Sequence, residues 1–135
     1  MILPSLENLC GTLIHSISWA HLAHFAQHSV PGSYAAHLAL QEYYEEMPEL
    51  ADALIEKVLG AQWIDNYDDV SLQLMTPEKP MPYQDPLHYM MQLRAFVVDA
   101  RNSLIDPDKF KSMNSLVDDI INQLDSTIYK LRRLK

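Results

Sequence analysis

Apolar residues recur along the chain in alternating steps of three and four, the spacing of one face of an α-helix, and they do so in four separate blocks. The first block reads Leu6, Cys10, Leu13, Ile17, Ala20 and His24, with Ile14, His21 and His28 alongside. Ser5, an N-cap residue type directly after Pro4, opens it and predicts a first helix from Ser5 to about His28. The second block is Ala36, Leu40, Tyr43, Met47, Leu50, Leu54 and Val58. It predicts a helix from near Ser33 to just before Gly60, with Gly60 as the residue past its end. Pro48 lies inside that helix, and because the period stays in phase on both sides a kink is expected there and not a break. Between the blocks stands Ser29-Val30-Pro31-Gly32, a turn signal, since Pro cannot continue a helix and Gly tolerates the angles of a reversal. The two helices should form an antiparallel hairpin.

Residues 61–84 lose the period and carry Pro77, Pro80 and Pro82. A connection of this length is uncommon in a compact domain unless it crosses the structure or has a function of its own. Trp63, Tyr67, Leu72, Leu74 and Tyr83 give it apolar anchors, with a short helix expected near residues 69–74. Asp85-Pro86 and Asp106-Pro107 then each join an N-cap acid to Pro at the first helical position, where its missing N–H is harmless. The third helix carries Met90, Leu93, Val97, Ala100 and Leu104, and the fourth Phe110, Met113, Val117, Ile120, Leu124, Ile128 and Leu131. Two helical hairpins separated by one long crossover describe an all-α, ferritin-like four-helix bundle in which helices 2 and 3 run parallel. Residues 1–135 read as one such domain.

Composition narrows the partners. At 135 residues and 48% hydrophobic content the chain can bury a core without disulfides, and its single cysteine, Cys10, falls on the apolar stripe as a small hydrophobe. The formal charge of −8 argues against a general nucleic-acid surface and favours cations as small partners. Nothing at the start reads as a signal peptide, and no apolar run approaches the roughly 18 residues of a membrane span, so a cytoplasmic protein with no membrane partner is expected. The basic run at residues 130–135 would bind DNA only weakly, and cations there already suit a helix C-terminus. No Gly-rich phosphate loop, GxSxG, CxxC or HExxH occurs. Chemistry is left to the first hairpin, which holds His21, His24, His28 and His37. His24 and His37 stand about six residues either side of the turn's centre, hence at about the same height, and can face each other. Such imidazoles serve either as hydrogen-bonded core residues or as metal ligands. Glu42, Glu45, Glu46 and Glu49 read as a solvated face or, alternatively, as the lining of a cation-collecting cavity.

The run from His24 to Gly60 resembles the Dps family, ferritin-like proteins that form hollow shells and oxidise ferrous iron. His24-Phe25 match that family's first histidine and aromatic, Gly32 and Tyr34 its turn, and His37 its second histidine. Asp52 and Glu56 follow His37 by 15 and 19 residues, the family's spacing, before Lys57-Val58-Leu59-Gly60. Two positions depart from the pattern. Gln41 replaces an acid four residues after His37, and the histidines are one residue further apart, which leaves His21 and His28 as rival ligands. His37 and Asp52 are roughly 22 Å apart along one helix, so one chain cannot close a site with both. The resemblance implies that a two-fold mate supplies Asp52 and Glu56 beside His24 and His37, in a dimer and, beyond it, a dodecameric shell. It also implies binding and oxidation of iron (Fe2+/Fe3+); zinc would fit the same donors. A different class of function is a non-catalytic helical assembly protein, of the kind a phage or accessory element encodes, that kept the bundle and lost the metal chemistry. Gln41 and the extra turn residue favour that alternative.

Overall fold

The structure, a computed structural model, describes residues 5–61 and 82–134. Four helices account for most of them: α1 (Leu6–Phe25), α2 (Ser33–Gly60), α3 (Pro86–Leu104) and α4 (Lys111–Arg133). Ser5 caps α1 by accepting a 3.0 Å bond from the Asn8 N–H, and Asp85 caps α3 by accepting from the His88 N–H at 3.2 Å, with Pro86 behind it. Val30, Pro31, Gly32 and Ser33 form a type II turn: Ser33 N–H donates to the Val30 carbonyl, and Gly32 takes the positive φ of 85° that this turn needs at its third residue. Pro48 sits inside α2 without ending it.

Three boundaries differ from expectation. α1 stops at Phe25 and not near His28, because the His24 carbonyl, which would accept from the His28 N–H in a longer helix, is taken by the Gln27 N–H and the His37 ring. Gly60 is the last residue of α2 itself, and Ala61 closes the helix in a right-handed conformation. Asp106-Pro107 opens a separate turn, in which the Asp106 carboxylate accepts from the Asp108 and Lys109 N–H groups; α4 starts later, at Lys111. The expected anchors Trp63, Tyr67, Leu72 and Leu74 and the short helix near residues 69–74 lie outside the described residues.

α1 packs on α2, α2 on α4, α4 on α3 and α3 on α1, leaving α2 and α3 on a diagonal. Cross-links fix their directions. Trp19, late in α1, stacks on Tyr89, early in α3, with centroids 3.7 Å apart, while Ser16 bonds Tyr43 near the start of α2 and Lys130, near the end of α4, pairs with Glu42. The end of α1, the starts of α2 and α3 and the end of α4 therefore share one end of the bundle. α2 and α3 run parallel, so the end of α2 and the start of α3 lie at opposite ends of the bundle. No described helix is long and apolar enough to cross a membrane.

The core draws on all four helices. Leu9, Leu13, Leu40, Met47, Leu54, Met90, Val97, Met113, Ile120 and Leu124 are all but fully buried. The second, third and fourth stripes are as the spacing predicts, except that Ala36, Leu50, Leu104, Phe110 and Ile128 are only partly buried. In the first, Cys10, Leu13, Ala20 and His24 are buried and Leu6 and Ile17 partly so, as the spacing predicts, but residues 8–13 are buried all round and the flanking Ile14, His21 and His28 are exposed. Among the buried polar groups, the Ser16 hydroxyl donates to the Leu13 carbonyl at 2.6 Å, so its oxygen is left to accept from the Tyr43 phenol, also at 2.6 Å. Burial raises the Tyr43 pKa, and it pushes the Cys10 thiol up to about 12, with Glu7 adding to the effect. Cys10 is an inert packing residue, as expected.

Candidate functional site

His24 and His37 meet at the turn end of the α1–α2 seam, their rings stacked with centroids 4.2 Å apart and planes inclined by 28°. The height match across the turn, read from the sequence, is what brings them together. Around them lie Phe25, 4.3 Å from the His24 ring, and Tyr44, whose ring meets His24 edge-on at 5.1 Å and stacks on His21 at 4.4 Å. His24 is buried; His37 is half-buried, and His21 is exposed. His28 stays out of the cluster. Beyond the end of α1, it bonds its neighbour Ser29 through Nδ1.

The hydrogen bonds decide which nitrogens are free. His37 Nδ1 lies 2.9 Å from the His24 carbonyl oxygen. A carbonyl can only accept, so Nδ1 carries the proton and Nε2 of the neutral ring keeps a bare lone pair, the tautomer in which metal-binding imidazoles are held. His24 differs. Its Nδ1 is buried with no partner among the described residues, and its Nε2 is 3.4 Å from the Tyr44 phenol oxygen. Burial, then the neighbouring His37 and His21, lowers the His24 pKa, with Glu45 pulling the other way. The imidazole is therefore neutral near pH 7 and able to act as a ligand.

Oxygen donors are sparser. Gln41 is turned to Glu45, donating to its carboxylate at 3.0 Å, and Glu42 is engaged with Lys130. Asp52 and Glu56 are exposed, well down α2. At about 100° per residue they stand roughly 60° and 100° round the helix from His37, on the outward side that also carries Leu38 and Gln41. Among the described residues no three His, Cys, Asp or Glu side chains gather closely enough to hold an ion. Two imidazoles fit iron or zinc as nitrogen donors, and the remaining charge-neutralising ligands have to come from elsewhere. The outward side of this hairpin is apolar for a surface, with Phe25 65%, Tyr34 74%, Leu22 53% and Leu38 45% exposed. Tyr44 is the member of the cluster that the sequence did not single out. Its spacing of seven residues from His37, two turns along the same face of α2, is the signal that could have found it.

A family model described as a family of unknown function, DUF5856, matches residues 28–131, so the chain belongs to that family. No curated protein and no solved structure matches it.

Proposed function

We propose that this member of DUF5856 is a Dps-like, self-assembling protein that binds iron in the seam between two copies. His24 and His37 of one copy would supply nitrogen, and Asp52 and Glu56 of the other would supply carboxylates that offset the metal charge and bridge neighbouring ions. The reading is supported above all by the His37 ring, whose Nδ1 is tied to the His24 carbonyl, which leaves Nε2 as its ligating nitrogen beside the His24 imidazole. The exposed Phe25, Tyr34 and Leu38 support pairing through this face, and Asp52 and Glu56 share the outward side of α2 with Leu38. Ferrous iron is then the substrate, with oxygen or peroxide as oxidant and a dodecameric shell as the store. Zinc would occupy the same nitrogens.

Anaerobic Fe(II) titration tests the reading. The wild type should bind iron with a His37-dependent stoichiometry; equal binding by His37→Ala removes the site. Gln41 favours a second reading, a non-catalytic helical assembly protein, because its amide is spent on Glu45 and, among the described residues, no carboxylate joins the imidazoles in a group that could hold an ion. Light scattering would then give an assembly that retains no iron.

A further inference from the structure

Within the iron-binding reading, on which this step rests, the half-site of a single chain lacks an oxygen ligand. Gln41 stands where an acid would be useful, and its side chain points to Glu45. One turn further along α2 is Tyr44. We infer that the Tyr44 phenol supplies that oxygen and that, together with His24 Nε2, it holds one ion from this chain's side.

The distance carries the argument. Tyr44 Oη and His24 Nε2 are 3.4 Å apart. That is at the long end of a hydrogen bond from a hydroxyl, which settles at about 2.8 Å, and it is close enough for both atoms to reach one ion at about 2.1 Å from each. The ring orientations agree, because Tyr44 meets His24 edge-on at 5.1 Å, and an edge-on approach carries the phenol oxygen toward the imidazole nitrogen rather than over the ring face. The Tyr44 ring is itself held, stacked on His21 at 4.4 Å, so the oxygen is placed before any ion arrives. His21 thus acts as a positioning residue for Tyr44. On binding, the phenol O–H bond breaks, the oxygen bonds the metal and the proton passes to solvent. A phenolate is a hard anionic donor, well matched to Fe(III), and supplies the negative charge that the Gln41 amide does not.

Iron(III) phenolates absorb in the visible, which gives a readout independent of turnover. Ferric citrate is added to the wild type, Tyr44→Phe, Tyr129→Phe and His37→Ala, and after dialysis the retained iron and the visible spectrum are measured. The expected result is a charge-transfer band in the wild type and in Tyr129→Phe, an exposed tyrosine of α4, lost in Tyr44→Phe, whose Phe ring keeps the stack on His21 and whose circular dichroism should match the wild type. A band that survives in Tyr44→Phe overturns the inference. So does wild-type protein that retains iron in a His37-dependent way without any band, an outcome that leaves the iron-binding reading standing. If the wild type retains no iron, both fall.

Discussion

The two hairpins of the bundle share an architecture and close their seams with different chemistry. Between α3 and α4 the outer seam is laced by Arg94 with Asp125 and Arg101 with Asp118, pairs that are partly solvated and of the kind any exposed helical surface carries. Between α1 and α2 the seam is filled at its turn end by stacked imidazoles and phenols, and its flank exposes Leu22, Phe25, Tyr34 and Leu38 to solvent. A seam finished with ion pairs is complete as a surface. One finished with imidazoles and bare aromatic edges is not, and that contrast is why the proposed function is placed on the first hairpin.

What the hairpins have in common is the core, and the largest effects should appear there. Leu54→Ala in α2 and Leu93→Ala in α3 are each expected to cost about 2–5 kcal/mol in urea denaturation. A single transition in both variants is required, because two transitions would make the hairpins independent units and void the comparison. Next comes the exposed flank. Phe25→Asp with Leu38→Glu should reduce the mass seen by light scattering to that of a monomer, whereas Arg94→Glu on the other hairpin should leave it unchanged. Tyr43→Phe removes the donor to a buried hydroxyl oxygen and should lower stability by about 1 kcal/mol.

A smaller test uses pH on metal-free protein. The native His24 pKa lies below the ordinary 6.5, so as pH falls through that value the unfolded chain takes up a proton that the native chain refuses. Stability is then whole above about pH 6.5 and declines below it toward the native value. His24→Gln should remove that part of the slope in urea midpoints recorded at about pH 8 and about pH 5. The smallest effect is expected at the other seam: Arg94→Ala should cost only about 0.2–1 kcal/mol, and less as salt is added.

The sequence was legible where one face of a helix settles the matter. α2, α3 and α4 bury the residues their spacing marks, and the parallel run of α2 and α3 follows from the long gap between two short turns. α1 is harder: its main stripe of Cys10, Leu13, Ala20 and His24 is buried as the spacing predicts, but residues 8–13 are buried on every side, and nothing in the pattern separates that stripe from the exposed Ile14 and His21 beside it. Asp106-Pro107 carries a helix-start signature and uses it on a turn. At the site, the pairing of His24 with His37 could be counted off the turn. Tyr44 was not singled out, because a tyrosine beside the buried Tyr43 looks like packing, and the packing of α1 is what puts its oxygen beside an imidazole.

Because α4 ends beside the start of α2, the free ends of α1 and α4 lie at opposite poles of the rod. A fluorophore attached after Arg133 therefore sits near the histidines and would be quenched by a paramagnetic ion bound there. The same dye placed ahead of Leu6 would sit a bundle length away and serve as the internal reference.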